Sequence, residues 1–431
     1  MIQGYNNSNL TEEEILEYAM GFRGPSTISG VLENLESRRN NAVNGGVNCI
    51  PLPFDRFRGD VPGIEQGQYV VVTANQKVGK SNISNYLYMY HVLDYCFNNP
   101  DKCSCHIIYF ALEESISKII ERYMSHLLYQ LDGWRISPAD LRSTSVDSPV
   151  PEEILNLLNT EPYRKRLEFF EKCVEFNTED TNPTGILRVC EAYAKSVGKY
   201  KSHKMSSKSG NGNEVEVFDS YEQNDPNHYK IVIIDHIGLV DKEQGFNTKA
   251  AIDKTSEYFV KYLRNRYNYT CVAIQQQASE MEGLEAIKAK KMIPTASGGG
   301  DSKYTFRDCD LALGLFDPSK FGLQSWLGYK IQDPTDGEGL KNYGRFLYVI
   351  ANRNGEMGGV CPLFFDGAVC NFEELPLPND PNVGKYYFKA SKLKSFKQQK
   401  RIQNLKSLSL VTLSNIIING RKQRLSADFT V

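Results

Sequence analysis

The stretch Tyr69-Val70-Val71-Val72-Thr73-Ala74-Asn75-Gln76-Lys77-Val78-Gly79-Lys80-Ser81-Asn82 decides the fold. Tyr69 to Thr73 is a continuous run of aromatic and β-branched residues, the signature of a strand buried on both faces. From Asn82 to about Phe97 the pattern is helical. The eight residues between, Ala74 to Ser81, match the phosphate-loop pattern GxxxxGK[ST] except at the first glycine, which is Ala74. In such a loop the backbone N–H groups wrap an anionic phosphate and Gly79 permits the close turn. Lys80 reaches the outer phosphates and the Ser81 hydroxyl ligates magnesium. Gly-Lys recurs at Gly198-Lys199 and Gly384-Lys385, each followed by Tyr and neither preceded by an apolar strand. An ordinary strand-to-helix turn is the competing reading. The expected phosphate-binding set is Ala74, Asn75, Gln76, Lys77, Val78, Gly79, Lys80, Ser81 and Asn82.

Outward from this loop, short apolar runs alternate with longer amphipathic stretches, as an α/β fold with a mostly parallel sheet requires. Strands are expected at Tyr69–Thr73, Ile107–Ala111, Ile231–Ile234, Thr270–Ile274, Leu311–Phe316 and Phe346–Ala351. Leu363–Phe365 and Ala368–Phe372, joined through Asp366 and Gly367, read as a closing hairpin. The polar stretch from Gly198 to His228 has no helical period and reads as a surface insertion. Before the core, Thr11 followed by Glu14 makes a capping-box pattern for a helix over Glu12–Phe22. A second helix is expected over Ile28–Arg39, and Asn40–Asn48 reads as a linker. The expected domains are a helical N-terminal segment and linker at 1–47, an α/β core at 48–379 and a tail at 380–431.

The chain has 431 residues, 41% hydrophobic and 24% charged, ordinary globular proportions that exclude a wholly disordered or collagen-like protein. No apolar run approaches the roughly 18 residues of a membrane span, and the first residues lack a signal-peptide pattern, so the expectation is a soluble cytoplasmic protein with no membrane partner. Ten scattered cysteines suit small buried hydrophobes in a reducing compartment. Cys96, Cys103, Cys105 and His106 invite a metal reading, yet no second paired motif follows, which weighs against it. The net charge of −2 conceals a polarity: Lys385 to Leu425 holds eleven Lys and Arg and no Asp or Glu, which leaves −13 on the rest. Such a tail suits either nucleic-acid phosphates or a solvated end.

Two acidic elements fit a nucleotide site. The run Ile231-Val232-Ile233-Ile234-Asp235 ends in a carboxylate placed to hold magnesium and its waters, although an aspartate there also serves as a turn or cap residue. Glu113, just past Ile107–Ala111, is placed to polarise the water that attacks a γ-phosphate. A first-turn Glu favoured by the helix dipole is the alternative, and Glu114 competes for either role.

The order of these elements resembles the ATPase domain of DnaB-type replicative helicases, phage-like members especially, within the RecA-like superfamily. The resemblance covers about Asn48 to Leu375. In that family the loop commonly opens with Ala, as at Ala74. Ala111-Leu112-Glu113 resembles the segment that carries the catalytic base, which implies Glu113 over Glu114. Asp235-His236 resembles the metal-binding strand end. Val272 to Gln277 resembles the strand that delivers a γ-phosphate-sensing glutamine, which implies Gln276. Arg353-Asn354-Gly355 resembles the motif whose arginine enters the next subunit's ATP site. The family's basic residue two before that arginine is Ala351 here, and no room exists for the helical N-terminal domain of the cellular proteins.

The resemblance implies a RecA-like core that hydrolyses ATP with Mg2+, as a ring, most simply a hexamer, moving along single-stranded DNA during replication, with a primase or loader as possible partners. In a phage-encoded protein the setting would be the host cytoplasm. A RecA-like recombinase or loading factor without unwinding is the alternative, and an ATP-binding scaffold a third. DNA contact is expected in loops after the Asp235 strand, at Lys242 and Lys249, and after Gln276, at Lys288, Lys290, Lys291 and Gly298–Gly300. Lys288 to Lys291 also suits a solvated helix face.

Overall fold

The computed structural model describes residues 28–146, 149–206, 214–283, 287, 292–300, 302–333 and 337–393. The expected helix over 12–22, Lys288, Lys290, Lys291, the insertion's tip and the tail beyond 393 lie outside these residues.

A nine-stranded sheet forms the centre. In chain order its strands are β1 (Tyr69–Ala74), β2 (Ser104–Ala111), β3 (Val174–Asn177), β6 (His228–Asp235), β7 (Thr270–Gln276), β8 (Leu311–Phe316), β9 (Gly344–Asn352), β10 (Val360–Asp366) and β11 (Asn371–Glu374). Across the sheet they run β11-β10-β9-β8-β1-β7-β6-β2-β3. The six from β8 to β3 are parallel, and β9, β10 and β11 continue the sheet antiparallel. All six strands expected from sequence are present, and the architecture is the expected RecA-like α/β core. The closing hairpin is present too, with Asp366 opposite Asn371 and therefore a longer turn than Asp366-Gly367 alone.

Alternation along the central strands divides the core. Val70, Val72 and Ala74 pack with Ile83, Leu87, Ile107 and Ile274 on one face, while Tyr69 and Val71 pack with Ile108, Phe259 and Leu263 on the other. Burial on both faces is why these strands read as unbroken apolar runs. Helix α2 follows the phosphate loop as Lys80–Asn85, a π-helical Tyr86–Tyr90 and His91–Asn98. Tyr86, Tyr88 and Tyr90 are buried there. Helix α3 (Ile116–Asp132) joins α2 on the first face. The second face carries α4 (Pro183–Ser196) and α5 (Thr248–Tyr258), which continues as a π-helical Phe259–Arg264.

Three features differ from the sequence reading. Edge strand β3 is only four residues long and was not expected. The polar insertion is a β-hairpin, β4 (Gly198–Ser206) against β5 (Glu214–Gln223), anchored where Tyr200, Phe218 and Tyr221 gather on Tyr267. Val383–Lys392, within the span read as tail, forms a helix with Val383 and Ala390 buried against the core and Lys389 donating to Glu373 at 2.6 Å. Before the core, helix α1 (Ile28–Val43) has no buried residue.

All ten cysteines are free, nine of them buried. Cys96 and Cys103 place their sulfurs 3.6 Å apart, whereas His106 stacks on Tyr193 and meets Glu175. No group of three or more His, Cys, Asp or Glu among the described residues is arranged to hold a metal. No helix among them is long and apolar enough to cross a membrane.

Candidate functional site

The parallel strands end together, and their carboxyl edge gathers the residues singled out in the sequence. β1 ends at Ala74 beside Gln276 of β7, and β6 ends at Asp235 beside Ala111 of β2. A loop leaves β1 through Asn75 and turns into α2 at Gly79, whose φ is +110°. A side chain there would be strained, and a Cβ would lie 3.2 Å from the Phe365 ring. Glycine is required by both conformation and space.

Lys80 opens the helix and extends to Glu113, with Nζ 3.0 Å from Oε2. Ser81 donates from Oγ to Asp235 Oδ1 at 3.1 Å, and the Tyr109 hydroxyl donates to Oδ2 at 3.0 Å. The backbone N–H groups of Leu112 and Glu113 both reach the Asp235 carbonyl, which ties the two acidic strand ends to each other. Burial pushes the Asp235 carboxyl above the usual carboxylate range, while Lys80, Ser81 and Tyr109 pull it back. Glu114 turns elsewhere, onto Arg122 at 2.8 Å. His236 Nε2 lies 4.0 Å from Glu113.

Other residues grip the loop and were not found from sequence. Glu282 accepts from the Gln76 N–H at 2.9 Å, and Lys320 donates to the Gln76 carbonyl at 2.7 Å and to Glu282 at 2.6 Å. Arg345, buried, donates to the Val78 carbonyl at 2.9 Å and pairs with Asp317. These partners are separated from the loop by more than 200 residues, so no local spacing announces them.

The donor set fits a magnesium-bound nucleoside triphosphate. Asn75 is buried in the loop with both side-chain polar atoms unpartnered, and Asp235, acidic and desolvated, shares a hydroxyl-bearing neighbour in Ser81. A hard divalent cation favours such oxygen ligands.

Arg353 is not among these groups. Leu311 of β8 pairs with Val70 on one side and Asn352 on the other, so Arg353 stands level with the start of β1. The four residues from Val70 to Ala74 put about 13 Å of strand between that level and the loop. Its guanidinium donates to Asp310 at 3.1 Å and is half-exposed.

Of the expected DNA contacts, Lys242 is exposed, and Lys249 lies 3.6 Å from Asp253 and over the Tyr304 ring. The glycines Gly298–Gly300 return beside Gln276: Ala278 donates to the Gly298 carbonyl at 2.8 Å and Gly300 to the Gln276 carbonyl at 3.1 Å.

Against solved structures the chain is similar to an ATPase domain of the DnaB-like replicative helicases, with a TM-score of 0.56 and 14% identity over 81% of this chain and 99% of that one. A second DnaB-like replicative helicase, described with its interactions with primase, superposes with a TM-score of 0.55 and 14% identity over 84% of this chain and 71% of that one. The fold is that of a DnaB-type helicase ATPase domain. No protein-family model matches the sequence, and no curated protein does. At this level of identity the DnaB-like neighbours speak for the fold.

Proposed function

We propose that the protein is an ATP-dependent helicase motor that assembles as a ring, most simply a hexamer, and moves along single-stranded DNA. One observation carries the reading. Lys80, Ser81, Glu113 and Asp235 meet at one edge of the sheet, while Arg353 stands at the opposite edge and cannot reach them within one chain. A site so divided is complete only where two copies meet.

In this reading the loop from Ala74 to Asn82 wraps the phosphates and Lys80 neutralises the outer ones. Glu113 orients the attacking water and takes its proton. Gln276, level with Ala74, senses the γ-phosphate. Magnesium, held by Ser81 and Asp235, supplies charge neutralisation on the phosphate oxygens when bound. Arg353 of one copy stabilises charge that develops in the next copy's site. The Gly298–Gly300 segment beside Gln276, together with Lys242, Lys249, Lys288, Lys290 and Lys291, tracks DNA phosphates without reading bases, so binding is sequence-independent and weakens with salt. A primase or loader is a fitting further partner for such a motor, and the host cytoplasm a fitting place.

Helix α1 supports assembly. Ile28, Leu32 and Leu35 follow at helical spacing and are 82%, 60% and 58% exposed, an apolar stripe that an adjoining copy would cover.

The test is strand displacement from a forked duplex with ATP. Displacement with DNA-stimulated hydrolysis supports the motor. Hydrolysis without displacement supports a RecA-like recombinase or loading factor, and negligible hydrolysis a scaffold.

A further inference from the structure

At the edge opposite the phosphate loop, a single carboxylate holds two arginines. Asp310 is buried just before β8 and accepts the Tyr69 N–H at 2.8 Å. Arg264, at the end of the helical turn Phe259–Arg264, donates from Nη1 to both oxygens of Asp310, at 2.8 and 3.0 Å. Arg353 donates to Oδ1 at 3.1 Å, and its second nitrogen makes longer contacts to the carbonyls of Arg307 and Asp308, at 3.3 and 3.4 Å. The two arginines differ in burial: Arg264 has 13% of its side chain exposed and Arg353 has 50%.

One negative charge therefore faces two positive ones, and they are not equivalent. Arg264 is the inner, doubly bonded partner, while Arg353 is the outer, singly bonded one. A buried carboxylate left without a cation is strongly disfavoured, so a lone arginine on Asp310 would be held there. With Arg264 in place, Arg353 can swing away and Asp310 stays neutralised.

We infer that Arg264 is a positioning residue for turnover: it neutralises Asp310 so that Arg353 is free to engage the phosphates of an adjoining copy. The inference rests on the reading of Arg353 as a residue that acts in trans. It assigns Asp310 as the resting anchor of that arginine and Arg264 as the charge that releases it. Arg264 itself touches no substrate.

A double-variant experiment on the full chain tests this. Arg264→Gln leaves Arg353 as the only guanidinium on Asp310, and kcat for DNA-stimulated ATP hydrolysis should fall about 100-fold with KM for ATP within about twofold. Adding Asp310→Asn removes the charge that traps Arg353 while an amide oxygen remains for the Tyr69 N–H. It should bring kcat back to within about fivefold of the parent. Arg264→Lys retains the charge and should stay within about tenfold. Parental kcat in Arg264→Gln, or no recovery in the double variant, overturns the inference. If Arg264→Gln alone fails to fold, the double variant and Arg264→Lys decide: both active supports it, and an inactive, folded double variant overturns it. Arg353→Gln, measured alongside, separates this from the underlying reading. Turnover that survives Arg353→Gln removes the trans arginine altogether, whereas its loss beside an unaffected Arg264→Gln removes only the role of Arg264.

Discussion

The Lys80 ammonium stands 3.0 Å from the Glu113 carboxylate, at the mouth of a loop whose next residue, Ser81, is bonded to Asp235. A cation for phosphate and a carboxylate for water thus share one small volume. The two roles separate under substitution. Glu113→Gln retains size and hydrogen bonding but cannot take a proton, so DNA-stimulated turnover should drop by about 10²-fold or more while nucleotide binding persists. Lys80→Ala should lose binding itself. Unchanged turnover in Glu113→Gln, measured by phosphate release, would remove Glu113 as the base.

Arg353 lies at the far edge of the same sheet, level with Val70 rather than Ala74. Arg353→Ala should keep nucleotide affinity and lose turnover by about 10³-fold. Mixing it with Lys80→Ala subunits should restore part of the activity, because a copy defective in its loop still offers Arg353 to a neighbour with an intact loop. A linear mixing curve with no recovery would count against catalysis across an interface.

Helix α1 makes a prediction about assembly rather than chemistry. Leu32→Asp with Leu35→Asp puts two charges on a stripe that is exposed within the single chain, so the melting temperature of the core should shift by little. The assembled mass, followed by light scattering with a non-hydrolysable ATP analogue and single-stranded DNA, should fall towards that of a single chain. A ring that persists in this variant would show that the stripe is not an interface.

How far the sequence led depends on where each signal comes from. β1, β6, β7 and β8 were legible because strands buried on both faces are continuous apolar words, and the loop was legible because strand, Gly-Lys-Ser and helix are contiguous. The four-residue β3 was not, since a short edge strand such as Val-Glu-Phe-Asn has too little pattern to separate it from a loop. The hairpin of β4 and β5 hid behind its charged residues. What sequence reading left out altogether are contacts made by the sheet's topology. Tyr109 meets Asp235 and Lys320 meets Gln76 only because distant strands end at one edge. In the same way Asp310 collects Arg264 and Arg353 from separate elements.

Lys230 supplies a prediction about pH and stability. It is fully buried in β6, donates to the Gln223 side chain at the base of the hairpin, and faces the Tyr221 and Tyr269 rings with its ammonium 5.2 and 5.7 Å from their centroids. Burial pulls its pKa down to about 7 from an ordinary 10.5. Between those two values the unfolded chain holds the proton more tightly than the folded one, so this residue makes stability rise as pH increases through that window. Below pH 7 the folded protein carries the full penalty of a buried charge. Lys230→Met keeps the length and apolar stem and removes the charge, so it should raise stability at pH 7 by a few kcal/mol, about as much as the pKa depression is worth. The gap between variant and parent should close towards pH 10. Denaturant melts of both proteins from pH 6.5 to 10 measure the difference directly, and because every other titrating group is common to the two, it isolates Lys230. A variant that is less stable than the parent at pH 7, or a gap that does not change with pH, would mean that the Gln223 bond and the tyrosine faces already satisfy the charged lysine.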